Sequence, residues 1–469
     1  MIAMTLGEIA AVVDGEVHGD PEVAVTGPAF VDSRVAEPGG LFVAVEGEHA
    51  DGHDFVESAL GAGAAAVLGS RPVGAGCVVV PDPLAAVTTL ARHVLAQVPD
   101  VRVVALTGSQ GKTGTKDLLA QVLSTAGTTV ATAGSFNNEL GLPLTVLRVE
   151  ADTDYLVLEM GARGLGHLAE LCTVAPPDVS LVLNVGKAHL GEFGTQQDIA
   201  AAKGEIVDAL SDDGIAVLNA DDPLVRPMAS RARGRVLTFG ESASSDVRLT
   251  DLELDELGRP RFVLHSGEES ARVVLGLMGE HQAHNAAAAA AVAVGLGVDL
   301  AQVAAALESA TPVSRWRMEV HERADGVTVI NDAYNANPDS MRAALKALAA
   351  VGRARGARRR TVAVLGEMRE LGASSREEHD AVGRLAVRLD INQLLVVGEP
   401  ARALHLGACL EGSWGEESVF VADNEQALAW LRANLLPGDV VLLKASRAAA
   451  LETVAESLLA ADEPKEPGR

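Results

Sequence analysis

The stretch TGSQGKT, from Thr107 to Thr113, follows directly on the apolar run VRVVAL and leads directly into a segment with helical patterning. Strand, glycine turn, Lys-Thr and helix in that order restrict the chain to an α/β fold whose sheet edge grips a nucleotide triphosphate. Gly108 and Gly111 let backbone N–H groups close around phosphate oxygens, and the helix N-terminus adds a favourable dipole. Lys112 is placed to neutralise the outer phosphates and the Thr113 hydroxyl to hold Mg²⁺. Only Ser109 and Gln110 separate Gly108 from Gly111, whereas the usual loop has four residues before its Gly-Lys. That shorter loop sets the chain apart from most P-loop ATPases and GTPases.

At 469 residues the chain has room for about three domains. Residues 1–98 alternate short apolar runs with turns and read as a small α/β unit. Residues 99–312 carry the apolar strands VRVVALTG, TTVATAG, DYLVLEMGA, VSLVLNVG and GIAVLNAD, with helices between them. These strands lack in/out alternation, as expected of a parallel sheet covered on both faces. A β excursion is predicted over residues 244–274, then an alanine-rich buried helix. Residues 313–469 show VTVIND, TVAVLGEM, QLLVVGE and DVVLLKAS separated by helices, a second doubly wound unit. The polar tail ADEPKEPGR is predicted to be disordered.

A net charge of −26 argues against nucleic acid as a partner. The longest apolar run, residues 286–297, is too short to span a bilayer, so no membrane insertion is expected. Cys77, Cys172 and Cys409 form no CxxC pair, which implies neither a disulfide framework nor a zinc site and fits a cytoplasmic location. The N-terminus has no basic region of the signal-peptide kind. A monomer is expected.

Further groups follow the P-loop. LVLEMGA puts Glu159 at the C-terminal end of a buried strand, the edge where ligands gather in open α/β sheets, and so beside Thr113 as a Mg²⁺ ligand. His189, in NVGKAHLGEFG, reads as a second metal ligand or a solvated loop histidine. Lys203, in IAAAKGEIVDAL, reads by itself as a solvated helix charge. His281 and Asn285 stand four apart on one helical face, suited to an adenine edge or to capping the helix start.

Together these segments resemble the Mur ligases, ATP-dependent amide-forming enzymes of peptidoglycan precursor synthesis. The resemblance spans nearly the whole chain and includes DSR at Asp32–Arg34, DGHDFV, the short P-loop, EMGA, AKGEI, LNADDP, VLGEMRELG and KASR at Lys444–Arg447. NNELGLPLT and YNANPDSM point to the branch that adds D-alanyl-D-alanine, and the DNPR motif of the sibling that adds the third residue is absent. The resemblance implies a three-domain Mur ligase architecture: a small N-terminal α/β domain for the UDP-sugar substrate, a central P-loop ATPase-like doubly wound domain and a C-terminal Rossmann-like domain.

It further implies ATP bound by the 107–114 loop, including Thr107 and Gly114, with Asn285 on adenine and His281 beside it. Arg317 reaches the nucleotide from the C-terminal domain, Asp332 lies on its ribose or phosphate side, and Tyr334, Asn335 and Asn337 line the same cleft. Lys203 matches a lysine that takes up CO₂ as a carbamate, and the metal ligands are then Thr113, Glu159, His189 and that carbamate. Ser33 and Arg34 lie near the uridine diphosphate end of the substrate, and Asn137, Asn138 and Glu139 face it. Lys444, Ser446 and Arg447 are candidates for the dipeptide carboxylate. The implied substrates are UDP-MurNAc-tripeptide and D-Ala-D-Ala, joined through an acyl phosphate, with Lys112, Lys203, His189 and Glu159 as the catalytic group.

Four positions depart from the family pattern. Gln110 replaces Asn or a small residue, Gly114 replaces Thr or Ser, Trp316 replaces Gly before Arg317, and Asn331 replaces an acid. Folylpolyglutamate synthetase shares the architecture, but this chain has no obvious folate-family signature. A nucleotide switch needs a guanine-reading NKxD tetrapeptide, which is missing. Joint retention of Lys112, Glu159, His189 and Lys203 argues against a scaffold without catalysis.

Overall fold

A computed structural model describes the chain except residues 48–49, 75, 135, 187–192, 355–357, 413–415 and 461–469. The tail predicted to be disordered lies outside the described residues, as does His189. Among the described residues, three larger sheets follow one another along the chain.

The first has the spatial order Glu16–His18, Cys77–Val79, Ala66–Gly69, Leu41–Val43, Ala29–Phe30 and is parallel except at its first pair. The central sheet has nine strands, seven of them consecutive and parallel, and ends in the antiparallel excursion Val247–Leu254, Pro260–Ser266, Glu269–Val274. Its functional strands are β1 (Arg102–Thr107), β2 (Tyr155–Glu159) and β3 (Val179–Val182). β1 runs between β2 and β3, with Glu159 beside Leu106 and Val182 beside Thr107. The chain builds outward on both sides of β1, so the loop after it sits at the topological switch point. The third sheet is parallel but for one edge strand, and its centre pairs β4 (Thr328–Asn331) with β5 (Val440–Lys444).

The helices that matter to the site are α1 (Lys112–Leu123), α2 (His167–Val174), α3 (Gln196–Asp208), α4 (His281–Gly295) and α5 (Pro338–Gly352), followed by α6 (Ser375–Arg388) and α7 (Arg402–Glu411). Their starts are written locally. Thr195 and Asp198 form a capping box on α3, while Asn337 caps α5 with Pro338 at its first turn. α4 buries every residue from Ala286 to Ala293, and small side chains let it lie close to α1 and the sheet. No helix among the described residues is long and apolar enough to cross a membrane.

α6 and α7 cross through reciprocal glycines. A methyl group at Gly383 would overlap the Leu404 carbonyl, and one at Gly407 would overlap the Asp380 carbonyl. Gly383→Ala must therefore push the helices apart, at a cost of about 1–3 kcal/mol. Urea unfolding checks this; an unchanged midpoint would mean that the pair yields freely.

Candidate active site

The P-loop is shaped by a residue that the sequence reading passed over. Asn184, just past β3, accepts through Oδ1 from the N–H groups of Ser109 and Gln110, both at 3.0 Å, and returns Nδ2 to the Gln110 carbonyl at 3.1 Å. The only signal in the sequence is its place at the end of VSLVLN, on the same sheet edge as Thr107. Thr107 donates to the Met160 carbonyl at 2.9 Å, and Ser109 Oγ accepts from Gly186 N. Gly111 has φ +81° at the start of α1, and a side chain there would run into Asn285 Oδ1 at 2.7 Å. Gly114 is explained similarly: a Cβ would stand 3.0 Å from Asn285 Nδ2 and 3.4 Å from Gln282. The missing side chain lets α4 close on α1, with Asn285 donating to Gln282.

Inside this loop Lys112 Nζ donates to the Gly108 carbonyl at 2.9 Å. Burial pushes its amine below the ordinary lysine value, against the opposing pull of Glu159. Thr113 donates to Glu159 Oε2 and Asn137 Nδ2 to Glu159 Oε1, each at 2.8 Å. Glu159 is thus fully buried, with each carboxylate oxygen held by a named donor. Lys203 is also buried, and burial together with the charge of Lys112 pushes its amine well below the ordinary value. The solvated charge suggested by Lys203 alone is replaced by a buried amine on which the charge of Lys112 acts.

Among the described residues no group of three or more His, Cys, Asp or Glu side chains is arranged to hold a metal ion. Thr113 and Glu159 nevertheless suit Mg²⁺, which keeps several waters and uses one or two carboxylates together with phosphate oxygens. His189 lies outside the described residues.

From the C-terminal side, Asp332 pairs with Lys444 at 2.7 Å and accepts from Met318 N at 3.2 Å. Lys444 is buried and also donates to the Asn335 carbonyl at 2.8 Å. His281 is half-buried nearby, its imidazole pushed down by desolvation against the pull of Asp332. Arg317 stacks over the Tyr334 ring at 4.4 Å. Asn337 Nδ2 reaches the Ser109 carbonyl at 3.4 Å, which brings the cap of α5 onto the P-loop. Ser446 Oγ accepts from Arg369 N at 2.9 Å. Arg447 is held by Glu452 and lies over the Trp316 ring at 4.4 Å.

Trp316 itself has φ +57°, the left-handed region that favours glycine. Arg315 on its ring and an indole N–H bond to Glu456 accompany that strained backbone. A cleft of about 290 Å³ opens here, lined by Gly114, Gln282, Met278, Arg317 and Met318.

Ser33 and Arg34 stand apart in the N-terminal unit, where Asp32 holds the Arg34 guanidinium through bonds of 2.6–3.1 Å. Asn138 accepts from Gly141 N at 2.9 Å. Glu139 faces Arg163 and His167, two further residues that the sequence reading did not single out.

Comparison with known proteins agrees with this geometry. Residues 30–99 match the Mur ligase family catalytic domain, 106–293 the Mur ligase middle domain and 316–447 the Mur ligase glutamate ligase domain. The UDP-N-acetylmuramoyl-tripeptide–D-alanyl-D-alanine ligase of Mycobacterium tuberculosis is 50% identical, over 98% of this chain and 99% of the relative. That of Escherichia coli is 36% identical over the same shares. Crystal structures of MurF from Acinetobacter baumannii (TM-score 0.84, 32% identity, 98% of this chain and 99% of that one) and from Thermotoga maritima in complex with ADP (TM-score 0.77, 33% identity, 93% and 98%) share the fold. The chain belongs to the Mur ligase family, among its UDP-N-acetylmuramoyl-tripeptide–D-alanyl-D-alanine ligases.

Proposed function

We propose that this chain acts in the cytoplasm as a monomer, joining the terminal carboxylate of UDP-N-acetylmuramoyl-tripeptide to the amine of D-alanyl-D-alanine in peptidoglycan precursor synthesis, with ATP consumed as a substrate. The observation that carries this reading is the half-buried Lys112 beside the buried Thr113, Glu159 and Lys203 at the switch point of the central sheet, in a chain half identical to ligases of that name.

A carboxylate does not condense with an amine in water unless it is activated. A tripeptide carboxylate oxygen attacks the γ-phosphorus, the bond to ADP breaks, and an acyl phosphate forms. The dipeptide nitrogen then attacks the carbonyl carbon, loses a proton, and inorganic phosphate leaves. Lys112 and the amides of the 108–111 turn neutralise the crowded phosphate oxygens, a task of positioning and electrostatics. Mg²⁺ held by Thr113 and Glu159 would supply further charge neutralisation at the same oxygens. Asn285 and Gln282 beside the 290 Å³ cleft suit the adenine end, with Arg317 and Asp332 closing from the other domain. Water must be kept out, and the contact of the α5 cap with Ser109 is a seam along which the domains exclude it.

Lys203 is read as the carbamate. Its lowered amine is neutral more often, and only the neutral amine attacks CO₂, releasing one proton. The product carries a negative charge beside Lys112, turning a repulsion between the two amines into an attraction. Lys444 is read as the partner that holds Asp332 in place, which leaves Arg447 and Ser446 as the candidates for the dipeptide carboxylate.

Phosphate release from ATP by the purified chain with UDP-MurNAc-tripeptide is expected to require D-alanyl-D-alanine, and the product to gain the mass of one dipeptide. Release indifferent to the dipeptide would remove the substrate assignment.

A further inference from the structure

Trp316 sets a bulky side chain on a backbone that glycine takes freely, at φ +57°. Such strain persists only where the surroundings hold it, and what holds it points to its use. Trp316 N donates to Glu319 Oε2 at 3.0 Å, and its carbonyl accepts from Tyr334 N at 3.2 Å. The indole N–H donates at 3.2 Å to Glu456 Oε1, on α8 (Glu452–Ala460). Arg315 donates to the same oxygen and lies 5.1 Å from the ring centre. Backbone and ring are thus fastened separately, and the ring lies 4.4 Å from the guanidinium of Arg447.

The first turn of α8 supplies the other restraint on that guanidinium. Glu452, itself buried, engages Arg447 Nη1. Nε and Nη2, the far edge of the fork, are hydrogen-bonded to none of the described residues, and the side chain is 51% exposed. That edge can meet a carboxylate with two parallel bonds. The chain leading to Arg447 is fixed independently, by Ser446 N on the Glu367 carbonyl at 2.8 Å and by Arg369 N on Ser446 Oγ at 2.9 Å. What stays loose is the guanidinium, which a contact at one nitrogen leaves able to swing. An aromatic face beneath it attracts the cation and limits that swing.

We propose that Trp316 is a positioning residue for the dipeptide, its ring aiming the Nε–Nη2 edge of Arg447 at the terminal carboxylate of D-alanyl-D-alanine. The inference rests on the reaction read above and names the residue that orients its dipeptide contact. Phenylalanine at this position keeps an aromatic face, whereas leucine fills space without one. Both carry the same backbone strain as tryptophan, so the comparison isolates the face.

The test sets kcat/KM of the full chain for D-alanyl-D-alanine against that for its C-terminal amide, which keeps the attacking amine and lacks the carboxylate. The acid is expected to be favoured by about tenfold or more, the range of a charge-assisted bond. Trp316→Leu should raise KM for the acid by about tenfold, leave kcat and KM for ATP near their original values, and carry the acid-to-amide ratio toward one. Trp316→Phe should keep most of the ratio, and Trp316→Leu should add nothing to the effect of Arg447→Met. A ratio within one preparation does not depend on the active fraction, so poor folding cannot imitate the result. A ratio untouched by Trp316→Leu, or KM for ATP raised as far as KM for the dipeptide, would overturn the positioning role alone. Indifference of the unmodified protein to the carboxylate would overturn the role read for Arg447, and the inference with it. No dipeptide-dependent turnover at all would overturn the reaction reading itself.

Discussion

Lys112→Ala is expected to lower dipeptide-dependent phosphate release by at least about 10³-fold, the scale seen when a preorganised cation at a transferring phosphoryl group is removed. The side chain is half-buried, folded back on the Gly108 carbonyl, and under the pull of Glu159. Nothing else in the 107–113 loop carries a positive charge. Stability should hold or rise, because the change removes a desolvated amine whose hydrogen-bond partner is a single carbonyl. Thermal unfolding followed beside turnover separates the two effects. A variant that kept a tenth of the activity would end the phosphate-neutralising role.

Lys203→Ala is expected to cost about 10²–10³-fold in turnover, on the scale of losing one preorganised charged group. Added formate or acetate should restore part of it by supplying the missing carboxylate in trans. Lys203→Arg, which keeps a cation and cannot take up CO₂, should be no better than alanine. Acidification should act in the same direction in the unmodified protein, since protonating the Lys203 amine returns CO₂ to solution, and added bicarbonate should oppose the loss. Incorporation of labelled CO₂ at Lys203 gives a readout apart from activity. Full turnover by Lys203→Ala would sink the carbamate role.

Much of this site was legible because its parts are local. Gly108, Gly111, Lys112 and Thr113 declare their chemistry through spacing, and the placement of Glu159 follows from the end of an apolar strand. The Asn337 cap and Pro338 announce the start of α5. Asn184 was not legible: an asparagine after a strand has many uses, and only the parallel pairing of β3 with β1 brings its amide to the loop. Arg163 and His167 were passed over for a similar reason, since their partner Glu139 is distant in sequence and near only through the Gly161–Asn137 bond. Trp316 was flagged as a departure from glycine, and its left-handed backbone shows what the departure costs.

Strands, caps and the phosphate loop were thus readable from the chain alone, because hydrophobic spacing and glycine conformations act over a few residues. Charge state and partnership were not. Lys203 reads by itself as a solvated lysine until α3 buries it beside Lys112, and Lys444 reads as a candidate for the dipeptide carboxylate until β4 and β5 set Asp332 against it. Desolvation and Coulomb interactions depend on what the rest of the fold brings within a few ångströms, and that is decided only when the sheets and helices pack.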